Sequence, residues 1–213
     1  MKNLFLTICL TAITAFTFAQ SIKFGVKAGF NMSTQSLSKD DPLSGFKYQY
    51  TTGFNAGVIL DIDFKNFSLE PGVSFTTKGE KRPSQQLPAN FSGPAGYNAP
   101  QATFTLDYIE ASFNAFYNIH VAPGAIIHLG GGTYLGNGIA ASATGLKASF
   151  NNDPNAAIHY KNPDYGVNFI AGVKLKKKIL IDLGYSLGIA DVSPNSSSLK
   201  NRVASLSVGY LFR

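Results

Sequence analysis

Cysteine, charge and long apolar runs are all scarce in this chain, and each shortage removes a class of answers. The single cysteine, Cys9, lies within the first nineteen residues. A chain cleaved after them carries no disulfide framework and no Cys-ligated metal. Cys9 is also a poor lipid-anchor site, because the bulky Ile8 precedes it and it sits inside an apolar run rather than at its end. Charged residues make up 14% of the chain, against about 25% in ordinary soluble domains. The net charge of +6 is spread in short groups such as Lys81–Arg82 and Lys176–Lys178. No basic stripe with interleaved aromatics appears, so nucleic acid is not an expected partner.

The one sustained apolar run, Leu4–Phe18, follows Lys2 and ends at the small residue Ala19. It is shorter than the roughly 20 residues a membrane-spanning helix needs. Its layout is that of a secretory signal. Residues 1–19 are therefore expected to be a cleaved signal peptide, and 20–213 a single domain.

What the chain has in abundance is glycine (21), phenylalanine (17) and tyrosine (10). Its apolar residues recur with a period of two, the pattern of strands with two unlike faces. Over 179–190, Ile179, Ile181, Leu183, Tyr185, Leu187 and Ile189 alternate with Leu180, Asp182, Gly184, Ser186, Gly188 and Ala190. The same alternation runs through 22–33, 54–63, 67–77, 103–120, 165–175 and 202–213. The stretch 125–136 reads as a strand whose facing is ambiguous, because Gly130, Gly131, Gly132 and Gly136 interrupt it.

The connections alternate in length. Tight turns fall near Lys65–Asn66, at Ala122–Gly124 and at Lys176–Lys178, whereas 34–50, 80–102, 142–163 and 191–199 read as long loops. This predicts an all-β fold, an eight-stranded antiparallel up-and-down transmembrane β-barrel with short periplasmic turns and four longer extracellular loops. A soluble lipocalin-like binding barrel alternates equally well. Its water-facing side would be dense in Lys and Glu, whereas the polar positions here are mostly Gly, Ser, Asn and Thr.

With the apolar faces toward lipid, Lys27, Asp61, Glu70, Glu110, Lys174 and Asp182 point inward. Unpaired charges there are costly, so these six are expected to form an interior ion-pair network, with Lys27 or Lys174 near Glu70 and Glu110. An eight-stranded lumen has only enough room for side chains to fill it, and it is not expected to conduct solutes freely.

The order of strand segments resembles the PorT-like outer-membrane β-barrel family of Bacteroidetes. The segments are GVKAGFNMS (25–33), GFNAGVILDIDFKNFSLEPGVSFTTKGE (53–80), LDYIEASFNAFYNI (106–119), DYGVNFIAGVKL (164–175) and LSVGYLFR (206–213). The fourth strand keeps the family's Tyr-Ile-Glu as Tyr108-Ile109-Glu110 but has Ala111-Ser112 where members carry Ile-Pro. The resemblance implies an outer-membrane location and no single activity; a role as an accessory component of a type IX-like secretion machine does not follow from pattern alone. The closing segment also resembles the C-terminal signal read by barrel-assembly machinery, with Tyr210 and Phe212 outward. It departs from that pattern in that Arg213 follows the aromatic.

No catalytic, cofactor-binding or metal-ligating motif appears. His120, His128 and His159 are scattered, without the spacing of a metal cluster. Ser149 and Asp153 lie near His159 in sequence without a nucleophile motif around them. The glycines at 130–132, 136 and 138 precede no helix and are not a phosphate loop. The expectation is a non-enzymatic barrel with a structural or surface-interaction role. Its expected partners are outer-membrane lipids, the assembly machinery and envelope proteins met by the long loops, the usual site of recognition.

Overall fold

The computed structural model describes residues 21–37, 48–86, 98–144, 146–150, 155–156, 158–193 and 198–212. The expected signal segment 1–19, Asp153 and Arg213 lie outside the described residues.

Eight long strands build one wall. They are β1 (Ser21–Leu37), β2 (Thr51–Phe64), β3 (Phe67–Arg82), β4 (Ala102–Ala122), β5 (Ala125–Ala143), β6 (Asp164–Leu175), β7 (Ile179–Gly188) and β8 (Leu199–Leu211). Each pairs antiparallel with its neighbour in sequence. The ring closes where β1 meets β8, from Gly25↔Leu211 to Leu37↔Leu199. The chain is thus an eight-stranded up-and-down barrel, and closure leaves its wall without a free edge.

Alternation sets which side chains enter the lumen. On β7, Ile179, Ile181, Leu183 and Tyr185 are exposed on the outside while Leu180 and Asp182 are buried inside. On β1, Phe24 and Phe30 stand 70% and 77% exposed, an apolar surface that water would not tolerate at this extent. β5 resolves the ambiguous glycine stretch. Ile126, His128 and Tyr134 are buried within, and Ile127, Leu129 and Leu135 face out.

Glycines 130–132 sit where neighbouring backbone comes close: a Cβ on Gly132 would lie 1.9 Å from the Phe113 carbonyl oxygen. Pro71, which has no N–H to give, lies beside Glu70 where the β2–β3 ladder breaks between Ile59↔Gly72 and Ile62↔Leu69.

The wall runs further than the expected loop boundaries. β1 continues to Leu37, β3 to Arg82 and β5 to Ala143, past the expected loop starts at 34, 80 and 142. The outward positions there turn polar, with Thr34 and Ser36 on β1, Thr77 and Lys81 on β3, and Thr105 and Asp107 on β4. The backbone keeps pairing to Arg82↔Ala102 after the apolar band has ended. Within the second expected loop, 80–102, a short ladder pairs Gln85–Gln86 with Asn98–Ala99; residues 87–97 lie outside the described ones. Leu146–Ser149 pairs antiparallel with β5, and Ile158–His159 pairs parallel with Ala148 and Ser149 of that added segment.

At the opposite end the turns are tight. Lys65 (φ 69°), Lys176 (φ 49°), Lys177 (φ 54°) and Gly124 (φ 84°) all take left-handed backbone. For lysine that conformation costs on the order of 1 kcal/mol each relative to glycine.

Candidate functional site

The lumen is crossed by charge at three heights. Nearest the short turns, Lys174 of β6 donates to both oxygens of Asp61 on β2 at 2.8 Å. Asp63 is the next carboxylate, at 3.8 Å. Beside this pair Ile59, Leu180 and Leu211 form a small buried apolar cluster.

One layer up, Lys27 of β1 lies 2.7 Å from Glu70 of β3 and 2.7 Å from Asp182 of β7. The other oxygen of Asp182 is 2.7 Å from His128 Nε2 on β5. Phe116 packs edge-on to that imidazole, ring centres 5.0 Å apart.

In the third layer Lys78 of β3 is held between Glu110 of β4 at 2.7 Å and Asp164 of β6 at 2.9 Å. Its ammonium also stands 4.1 Å from the Tyr134 ring centre. Asn201 of β8 donates to the same Asp164 oxygen at 2.9 Å.

Between the second and third layers lies a cavity of about 120 Å³. Asparagines and serines line it, tied to one another: Asn55 donates to Asn31 at 2.7 Å, Asn168 to Asn114 at 3.3 Å and Ser186 to Asn168 at 2.8 Å. A cavity of this size has room for several waters, and Lys27, Glu70 and Asp182 of the second layer and Lys78 and Glu110 of the third are among its lining residues.

All six charges read from the sequence point into the lumen. Their partners differ from the expectation in one respect. Lys27 does reach Glu70, but Glu110 pairs with neither Lys27 nor Lys174; its cation is Lys78. Lys78, Asp164 and His128 are the members that sequence reasoning missed. The signal for the first two was present: continuing the β3 alternation past Thr76 puts Lys78 inside, and continuing the β6 alternation back from Gly166 puts Asp164 inside. The β5 glycines hid the facing of His128.

Above the apolar band the third long loop packs against the wall. Phe104, Leu106, Tyr108 and Tyr160 form a buried cluster that Phe150 and Ile158 join from the third long loop. Arg82 lies over the Phe104 ring, 4.5 Å away, and donates through Nε to the buried Glu80 at 2.7 Å. Burial pushes the Tyr160 hydroxyl well above its ordinary value, and the nearby Glu80 charge adds to this. Asn162 acts like a piece of strand, accepting from the Gly138 N–H at 2.7 Å and donating to its carbonyl at 3.1 Å.

Asp191 fastens the fourth long loop. It accepts from the N–H groups of Ser193 at 3.0 Å and Leu199 at 2.9 Å, and from Lys161 at 3.1 Å. Partial burial works against its charge, yet these donors outweigh it and hold the carboxyl below its ordinary value.

Tyr210 and Phe212 stand exposed on the outside at the chain end, rings 5.4 Å apart and edge-on. Among the described residues no group of three or more His, Asp or Glu is placed to hold a metal. His120 is exposed near the short-turn end and His159 is half-buried in the third loop, so the three histidines do not meet.

A closed ring that is greasy outside and ionic within, with tight turns at one end and long loops at the other, defines an outer-membrane β-barrel protein. The chain belongs to the outer membrane protein β-barrel domain family, whose model matches residues 18–193. Among solved structures it is similar to Neisserial surface protein A (NspA), with 15% identity over 90% of this chain and 99% of that one at a TM-score of 0.50. It is also similar to the outer membrane protein OprG from Pseudomonas aeruginosa, with 10% identity over 92% and 98% at 0.51. At these identities the likeness is one of fold. No curated protein matches the chain. The outer-membrane location and the outward apolar faces replace the lipocalin-like reading, which required the apolar faces to point into a ligand cavity.

Proposed function

We propose that the protein acts without catalysis, as a sealed outer-membrane scaffold that holds its long loops at the cell surface in a structural or surface-interaction role. The observation that carries this is the lumen: buried ion pairs bridge it at three heights and join six of the eight strands, and the His128–Asp182 contact ties in a seventh. A solute passing through would have to separate Lys174 from Asp61 and Lys78 from two carboxylates. Each separation leaves charge unpaired in a confined space.

On this reading the partners are outer-membrane lipids around the wall, the assembly machinery at Tyr210 and Phe212 during biogenesis, and envelope proteins at the loops. The strand segments quoted above support a place in the PorT-like branch. A role as an accessory component of a secretion or envelope assembly machine draws support from the third long loop, whose Phe150, Ile158 and Tyr160 pack on the upper wall; stoichiometric partners recovered by pull-down would favour it. The sealed lumen is tested in planar bilayers. Purified protein should give no steady conductance steps at neutral pH, and large stable openings would overturn the reading.

A further inference from the structure

The short-turn end carries a concentration of positive charge that the fold does not use. Lys65 occupies the β2–β3 turn and Lys176, Lys177 and Lys178 the β6–β7 turn, all exposed. Lys23 reaches the same rim and donates to the Lys177 carbonyl at 3.1 Å. Among the described residues none of the four turn lysines has an ion-pair partner. The nearest acid on this rim, Asp63, faces inward toward Lys174.

The turns themselves do not ask for lysine. Three of the four have left-handed backbone, at φ 69°, 49° and 54°, where asparagine or glycine sits with less strain. The interior carboxylates are bridged by Lys27, Lys78 and Lys174, and none of them forms an ion pair with a turn lysine.

Their height is fixed by what lies beside them. Phe67 and Tyr117 pack edge-on at 5.2 Å on one side of the rim, and Tyr210 and Phe212 at 5.4 Å on another. Ile179 follows Lys178 directly and pairs with Tyr210. Such residues mark the lower edge of the apolar band. Turns this short keep each ammonium within one side-chain length of that edge, at the level of lipid phosphates, and too close to the bilayer to reach a distant polymer.

We propose that this lysine rim binds the phosphates of anionic phospholipid headgroups in the periplasmic leaflet, so that the barrel gathers these lipids around its lower edge. The inference goes beyond the sealed-scaffold reading and does not depend on it. A surface lysine near an anionic membrane is worth roughly fivefold in association, and salt weakens it because these groups are exposed.

The test places the full chain in mixed phosphatidylcholine and phosphatidylglycerol vesicles and compares, by spin-labelled lipid spectroscopy, the association of each lipid with the barrel. The parent should prefer phosphatidylglycerol several-fold at low salt and lose the preference at high salt. The variant with Lys65→Asn, Lys176→Asn, Lys177→Asn and Lys178→Asn keeps turn-compatible residues and should show no preference, with its heat-dependent gel shift unchanged. Should it fail to fold, the Lys→Arg counterpart, which must retain the preference, and the salt titration of the parent decide the matter. Equal association of both lipids with the parent, or a preference that survives removal of the lysines, would overturn the proposal. Lysine-dependent sedimentation with purified peptidoglycan, without lipid preference, would assign the rim to that polymer instead and also overturn it.

Discussion

Replacing Lys78 by methionine isolates the electrostatic part of lumen stability. The side chain is 1% exposed and its ammonium lies 2.7 Å from Glu110 and 2.9 Å from Asp164. Methionine keeps most of the packing volume and adapts to irregular space, so the loss is chiefly that of the charge. Breaking a buried pair by removing one partner costs about 3–5 kcal/mol, because the remaining charge stays buried without compensation. Asp164 retains Asn201 as a donor at 2.9 Å. Glu110 has no such substitute, which makes it the main source of the loss. The triple variant Lys78→Met, Glu110→Gln, Asp164→Asn removes the orphaned charges as well and should recover most of the difference. Urea unfolding in lipid vesicles, followed by the heat-dependent gel shift, measures both. A Lys78→Met barrel within about 0.5 kcal/mol of the parent would refute the reasoning, since that is the size of an ordinary surface change.

Backbone crowding, loop charge and the chain end each give a further expectation. Gly132→Ala puts a Cβ 1.9 Å from the Phe113 carbonyl oxygen, whereas Gly209→Ala meets nothing closer than 3.2 Å. The first should cost about 1–3 kcal/mol and the second clearly less; equal losses in urea titrations would contradict the packing argument. Because the Asp191 carboxyl is held below its ordinary value, the anchor it provides is present above the unfolded-state value of about 4 and is lost as pH falls through the lower folded value. The protection of the Ser193 and Leu199 amides relative to their intrinsic exchange should fall in that acid window, and in Asp191→Asn it should already be low at pH 7; acid-insensitive protection in the parent would count against the anchor. Deleting Leu211–Arg213 removes Phe212 and the Leu211 side chain that packs with Ile59 and Leu180, and it should abolish assembly, read as loss of the heat-shifted band. A normal surface-accessible barrel after the deletion would show that the chain end is not the assembly signal.

Most of the wall was legible in the sequence because lipid outside and polar side chains inside impose opposite demands on successive residues. Ile179 to Ile189 shows this without help from any other strand. Glycine weakened the signal on β5, where the close approach of neighbouring backbone at Gly130 and Gly132 selects for no side chain at all. The upper end of β3 runs past its expected limit for a different reason. Beyond Phe75 both faces of β3 become polar, so its alternation ends while the backbone ladder against β4 runs on to Arg82↔Ala102.

Charge facing was likewise legible, but partner identity was not. Whether Glu110 meets Lys27, Lys174 or Lys78 depends on how strands distant in sequence are staggered around the ring. That stagger is set by register pairs such as Asp164↔Gly136 and Gly136↔Glu110, which bring the third lumen layer together across strands that local patterning treats separately.

With its apolar faces in a membrane and its ionic faces in a closed lumen, the barrel should resist unfolding in detergent until boiled, which fractionation with gel electrophoresis before and after boiling measures. The expected result is a band in the outer-membrane fraction that migrates faster unboiled than boiled. A soluble periplasmic protein with no heat-dependent shift would contradict it.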